Sequence, residues 1–404
     1  MSIYLINETF VTAVYERAQA AIAEASEDAM FRVAVLPTWV ATELATKLSK
    51  DAIAKLIELS LWTSLEREEG HFHPFSIVLE PPDADEFSAH YWFTRPLEFT
   101  TTNLKKLAPA VDPNNYQIGV WFNDDGRFYV WGFKSKLVWF LSINSISPGK
   151  ISFGCISGAK ASFKCLVSLP QSGFLNPISR ESNPIFGWLS GQEIMTLIHK
   201  SADLNAVFAR MFHEGYGGAV LLVPDNDEEW KGSIQQPLLY EHRGLTGFEY
   251  PNLADKYLAI REIEARLISK AEGPGFDELK ERLLRAIEKS KGTIDDIYRL
   301  TTIDGATIIS ERIHVLGFGA KIIAPAILKT IAVSDPFEDS GTQIEDFALW
   351  NVGTRHKSAA NFVNAHQTSL AIVASEDRKL SVFSWSARHG TVHQLKGFEL
   401  FVLG

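Results

Sequence analysis

The sequence predicts two αβ units in tandem: an α+β N-terminal domain on an antiparallel sheet, then a C-terminal mixed αβ domain whose central sheet is flanked by helices. Three observations lead there. A helical stripe precedes a series of aromatic and β-branched runs. A stretch crowded with Pro, Gly, Ser and Asn occupies 170–192 and marks a boundary. Beyond it, long charged helical segments alternate with short apolar runs. The domains are drawn as 1–190 and 191–404, and 404 residues are enough for two hydrophobic cores.

Residues 1–70 read as helical, with Ile53, Leu56, Ile57 and Leu61 forming one apolar stripe. Pro37 and Thr38 make a start signal, and Gly70 ends the region. Phe75-Ser-Ile-Val-Leu, Tyr116 to Phe122 and Arg127 to Phe133 then read as strands. Asn123-Asp-Asp-Gly126 between the last two is a hairpin turn. Leu137 to Leu141, Lys150 to Cys155 and Ala161 to Val167 continue the meander. In the second domain a helix is expected over about 192–214, then the apolar strand Gly217 to Val223. Charged helices follow at 253–271 and 276–291, the second with Phe276, Leu279, Leu283, Leu284 and Ile287 on its packed face. Ala306 to Ile309, Ser369 to Ala374 and Leu380 to Phe383 are the remaining strands. No internal repeat or low-complexity tract is present.

Hydrophobic residues are 46% and charged residues 22% of the chain, the balance of an ordinary globular protein. A formal net charge of -10 argues against broad binding to nucleic acid, which needs a concentrated basic surface. With 2 cysteines, Cys155 and Cys165, a disulfide framework is not expected and two buried thiols are. The N-terminus lacks a signal peptide's basic start and apolar core, and no apolar run reaches the ~18 residues of a membrane span. These features predict a cytoplasmic protein with no membrane partner.

Three clusters in the second domain suit phosphoryl or nucleotidyl transfer, chemistry that rests on positioning and charge stabilisation. Thr302-Ile-Asp304-Gly305-Ala306 puts a carboxylate on a tight turn before a strand. Gly353-Thr354-Arg355-His356-Lys357-Ser358-Ala359 brings three possible cations and two hydroxyls to a helix start, an anion cradle. Ala374-Ser375-Glu376-Asp377 follows the apolar run from Leu370. An acid at a strand end can hold a divalent metal or take a hydroxyl proton. Taken singly, each cluster is also an ordinary turn, solvated surface or loop. Their order, each tied to a strand end, is what singles them out.

Together these residues resemble the signatures of the diadenylate cyclase domain. The match runs through Asp304-Gly-Ala306 with Thr307-Ile-Ile309, Arg312-Ile313 with Gly317, Gly353-Thr-Arg-His-Lys-Ser-Ala359 and Leu370-Ala-Ile-Val-Ala-Ser-Glu376. Gly217 to Val223 is similar to the family's first glycine-led strand, so the resemblance covers roughly 195–385. It implies that two ATP molecules are joined into cyclic di-AMP and pyrophosphate. Asp304 would act at the attacking 3′-hydroxyl with Mg²⁺ or Mn²⁺, assisted at the metal by Glu376. Gly305 and Ala306 would contact the adenine side. Thr354, Arg355, His356, Lys357 and Ser358 would hold the triphosphate, and Ser375 would face its terminal groups. It also implies a homo-oligomer, with two such domains meeting face to face.

Two features depart from the pattern. Lys357 replaces the family's usual second arginine, a point charge in place of a planar fork. The 320–352 segment is long and carries Glu338, Asp339, Glu345 and Asp346, either a gate beside the triphosphate site or, the favoured reading, a solvated loop. Both leave open a second reading, a nucleotide-binding sensor with weak or no turnover.

The first domain resembles the N-terminal sensor domains that precede some diadenylate cyclase domains, through Leu36-Pro-Thr38 and Leu61 to Gly70. Such a domain implies an unidentified small-molecule or protein signal. Its aromatics Trp121, Phe128, Tyr129, Trp131 and Trp139 are either a ligand pocket or core and sheet face, and the spacing favours core. His71 and His73 would share a face if their segment were a strand, but a third metal ligand is not evident.

Overall fold

The structure is a computed structural model of the 404-residue chain. It describes residues 8–27, 37–84, 90–113, 116–123, 125–135, 140–155, 163–168, 184–189, 194–225, 227–235, 237–239, 241–242, 245–246, 250–268, 275–325, 327–335 and 342–402. The chain divides into two compact units, one over Met1–Ser182 and one over Asn183–Val402.

Three helices open the first unit: α1 (Glu8–Glu27), α2 (Thr38–Lys47) and α3 (Lys50–Leu65). Pro37 caps α2, where its missing N–H costs nothing. Ser49 Oγ starts α3 by accepting the Ala52 N–H at 3.1 Å. The predicted stripe of Ile53, Leu56, Ile57 and Leu61 is buried, and α3 packs on the sheet. That helix stops short of Gly70. Glu69 and Gly70 take φ of 51° and 83° and turn the chain into the sheet.

The sheet holds β1 (Ser76–Leu79), β2 (His90–Glu98), β3 (Tyr116–Phe122), β4 (Phe128–Ser135), β5 (Leu141–Ser147), β6 (Lys150–Cys155) and β7 (Phe163–Ser168). Their order is β2-β4-β3-β1-β5-β6-β7. The β3–β4 hairpin forms, its turn held by Gly126 at φ 72° and by the Asn123 side chain accepting the Arg127 N–H at 2.8 Å. The expected antiparallel sheet is corrected to a mixed one, because β1 runs parallel to β3 through Ile77↔Ile118. Parallel neighbours need a long crossover. Here β2 and helix α4 (Thr101–Leu107) lie between them in the chain. Strand β2, which holds Pro96, was not among the expected strands. As an edge strand with a register shift between Trp92 and Leu97, it tolerates the proline.

Trp121, Phe128 and Trp131 are buried in this unit's core and Tyr129 packs against it, while Trp139 lies outside the described residues. His71 and His73 do not share a strand face; their rings sit 6.5 Å apart, edge to face. Cys155 is free, and burial pushes its thiol pKa well up. The Cys165 side chain lies outside the described residues, as do residues 137–139 of one expected strand and most of 170–192.

The second unit begins with helices α5 (Pro184–Trp188) and α6 (Ile194–Glu214), then strand β8 (Gly218–Val223). Short strands β9 (Ile234–Gln235), β10 (Leu238–Leu239), β11 (Glu241–His242) and β12 (Leu245–Thr246) precede helices α7 (Pro251–Ile268) and α8 (Phe276–Thr301). Next come β13 (Ala306–Ser310), β14 (Val315–Ile322), β15 (Thr330–Ser334), β16 (Gln343–Asp346) and helix α9 (Thr354–Ala365). Strands β17 (Leu370–Ser375), β18 (Lys379–Ser386) and β19 (Thr391–Leu395) and helix α10 (Glu399–Val402) complete it. The main sheet runs β10-β14-β13-β8-β17-β18-β19-β15-β16, with β9 also paired to β14.

On one face, Ala359, Ala360, Phe362 and Val363 of α9 pack with Ala219, Leu221, Ile308, Ala371, Val373 and Phe383. The intervening Val220, Leu222, Ile309 and Ile372 are equally buried and point the other way by strand alternation. Two expectations change here. Helix α8 does not stop at 291 but continues through Gly292 to Thr301. An exposed helical glycine costs only ~1 kcal/mol, and Thr293, Ile294 and Ile297 beyond it are buried. The acidic 320–352 segment is not a mere loop: β15 pairs parallel to β19, and β16 pairs antiparallel to β15. Ile331, Ala332 and Val333 supply the burial that the neighbouring acids obscured. Glu345 and Asp346 lie in β16, while Glu338 and Asp339 fall outside the described residues. No described helix is long and apolar enough to cross a membrane.

Candidate functional site

Strand pairing decides which distant residues become neighbours. β13 runs parallel to β8 with Ala306 opposite Ala219, and β17 runs antiparallel to β8 with Ala374 opposite Gly218. The start of β13, the start of β8 and the end of β17 therefore share one end of the sheet. Asp304-Gly305, Gly217 and Ser375-Glu376 all stand there.

Asp304 is exposed on the turn that leads into β13. Gly305 behind it takes φ 109°, and a Cβ there would lie 2.5 Å from the Gly319 carbonyl carbon and 2.8 Å from the Ala320 nitrogen. Only glycine lets the turn close so tightly on β14. The Ala306 side chain belongs to the core, so this residue offers a ligand its backbone alone.

Helix α9 brings the second cluster to the same place. Its cap, Gly353, has φ -63° and supplies no side-chain bond to the first turn. The leading amides of the helix thus have no partner within it, and the macrodipole favours an anion beside them. Thr354 and Arg355 are exposed, while His356, Lys357 and Ser358 are partly buried. Arg355 reaches across the sheet end: a Cβ on Gly217, at φ 59°, would meet its Nη1 at 3.0 Å and Glu376 Cγ at 3.2 Å. Arg355 Nη1 itself lies 3.9 Å from Glu376 Oε1, with both side chains well exposed. That pair contributes little to stability but aims the guanidinium at the sheet end.

Of the three possible cations here, His356 is the one whose surroundings disfavour its charge. Burial lowers the His356 pKa below 6.5, with the Asp377 carboxylate pulling it up and the Lys396 ammonium pushing it down. The ring packs edge-on against Phe383 at 5.9 Å. His356 is therefore neutral near pH 7 and acts as a hydrogen-bonding group rather than a charge.

Ser375, at the end of β17, is already engaged. Its hydroxyl donates to Asp377 Oδ1 at 2.5 Å and shares its proton with the Lys379 carbonyl at 3.2 Å. Lys379 Nζ lies 2.6 Å from Asp377 Oδ2. Sequence reading named Asp377 without a role and did not single out Lys379. Gly319 was missed too: its φ of 64° sets the backbone against Asp304, and a strand pattern does not display such a turn.

Among the described residues, no group of three or more His, Cys, Asp or Glu side chains gathers as a metal site. Asp304 and Glu376 are exposed carboxylates at the same sheet end. Hard oxygen donors suit Mg²⁺ or Mn²⁺, and Mg²⁺ commonly takes one or two carboxylates with substrate phosphates and water. The donor set fits such an ion.

Residues 42–135 match the family described as Probable sensor domain DACNV, under a quarter of the chain and wholly within the first unit. No curated protein matches the sequence.

Proposed function

We propose that the second unit is a diadenylate cyclase controlled by the sensor domain before it. The observation that carries this reading is the convergence at one sheet end of Asp304-Gly305, Gly217, Thr354 to Lys357 and Ser375-Glu376, stretches up to about 160 residues apart in sequence. They are the same stretches that resemble the cyclase signatures. The DACNV match adds support, because such sensor domains are typically found with cyclase domains.

In this reading the α9 amides and Arg355 hold the triphosphate, with neutral His356 and Lys357 completing the cradle. Gly305 closes the turn behind Asp304 on β14, and Gly305 and Ala306 would meet the adenine side through their backbone. Two copies of the unit face each other, each presenting one ATP. The 3′-oxygen of each nucleotide bonds to the α-phosphorus of the other, the bond to the bridging oxygen breaks, and pyrophosphate departs. The hydroxyl proton passes to the Asp304 carboxylate. A divalent ion held by Asp304 and Glu376 would supply charge neutralisation on the phosphate oxygens. The test is incubation of the purified chain with ATP and Mg²⁺ or Mn²⁺, with chromatography for cyclic di-AMP. ATP binding without product would favour the alternative, a nucleotide-binding sensor, to which Lys357 already points. Absence of both would remove the nucleotide reading.

A further inference from the structure

The turn between β17 and β18 and the first residue of β18 carry four consecutive charged residues, Glu376, Asp377, Arg378 and Lys379, at the end of the sheet where Arg355 points. One carboxylate, Asp377, accepts from the Ser375 hydroxyl through Oδ1 and from the Lys379 ammonium through Oδ2. The same carboxylate is close enough to His356, on the first turn of α9, to raise that ring's pKa against the effect of burial. A hydroxyl and an ammonium on one small oxyanion are donors of the kind a terminal phosphate group attracts. Here the oxyanion belongs to the chain.

We propose that Asp377 is a resident counter-ion standing where a terminal phosphate of the nucleotide binds, and that Lys379 is a further cation of the triphosphate clamp. This rests on the nucleotide-binding reading given above and deepens it. Both groups are mostly exposed, 58% for Asp377 and 71% for Lys379, so the carboxylate can swing into water at little cost. Ser375 and Lys379 are then free to bond phosphate oxygens. The same exchange leaves the clamp neutralised when no nucleotide is present.

The alternative is that Asp377 only ties the turn together, and the two roles predict opposite signs. Asp377→Asn keeps a side-chain oxygen for Ser375 but removes the charge. As a counter-ion, its loss should tighten ATP binding about 3-fold, since the phosphate no longer competes with a carboxylate. Lys379→Gln should weaken ATP about 10-fold, the scale of one lost charge-assisted bond. AMP, which has no terminal phosphates, should change less than about 2-fold in either variant. Titration calorimetry of the full chain with ATP, ADP and AMP reads these effects, and thermal melts of each variant establish that it is folded. Asp377→Asn that binds ATP no more tightly than the parent, or Lys379→Gln that weakens AMP as much as ATP, overturns the proposal. A parent protein that binds neither nucleotide overturns the site reading itself, a separate outcome.

Discussion

Replacing Gly305 with alanine tests whether the tight turn behind Asp304 is built as the backbone indicates. At φ 109°, Gly305 lies outside even the left-handed well open to other residues. An alanine there costs at least 1–2 kcal/mol in backbone strain. Its Cβ would stand 2.5 Å from the Gly319 carbonyl carbon and 2.8 Å from both the Gly319 oxygen and the Ala320 nitrogen. All three atoms are main chain and cannot rotate away. Ordinary contact begins near 3.4 Å, so β13 and β14 must part by about 0.9 Å against the pairing of Ala306 with Ala320. Such overpacking adds about 1–3 kcal/mol, for a total of about 2–5 kcal/mol. Hydrogen exchange read on peptides from 306–322 reports the loss where it occurs, and urea unfolding gives its size. Gly353→Ala is the control. Its φ is -63° and nothing lies within 4 Å of the added carbon, so only the cost of alanine at a helix cap is expected, about 1 kcal/mol or less. A Gly305→Ala protein as stable as that control would refute the reasoning.

Four further outcomes concern other residues of the second unit. Asp304→Asn should lower cyclic di-AMP formation at least ~10²-fold with a far smaller change in ATP affinity; near-parental product formation would exclude Asp304 from the chemistry. Arg355→Ala should weaken ATP binding by about 10-fold or more, while Lys357→Arg should stay within a few-fold in activity. A large gain from Lys357→Arg would mark the natural chain as a weakened catalyst. In the second unit, burial, with the Lys256 charge adding to it, lowers the His199 pKa from 6.5 to about 3. Between those values the unfolded chain binds a proton that the folded unit refuses. Stability is therefore full above pH 6.5 and declines as pH falls through that window. His199→Gln should lose less stability than the parent between pH 7 and pH 5 in urea unfolding; equal losses would show that another group titrates.

Local patterns were readable wherever one short stretch of chain carries its own physics. The α3 stripe at Ile53, Leu56, Ile57 and Leu61 reports a helix because four side chains must share one buried face. Asn123 to Gly126 reports a hairpin because its geometry lies within the turn itself. Asp304, Arg355 and Ser375 were likewise visible as residue types at strand and helix ends. Long-range pairing was not readable. Whether β1 meets β3 in parallel depends on where the β2–α4 crossover delivers the chain, a choice made by the whole sheet. Edge position lets β2 hold Pro96, and packing carries α8 on through Gly292; neither is written in the neighbouring residues. The charge of the site was decided in the same way. His356 reads as a possible cation in sequence, and its burial beside Phe383 pushes its pKa further down, towards the neutral ring. Asp377 reads as one more loop acid until β17 and β18 pair, because that pairing sets its two oxygens on Ser375 and Lys379. Residue types supplied the chemistry; tertiary structure set distance and dielectric, and those determine which charges exist and what they meet.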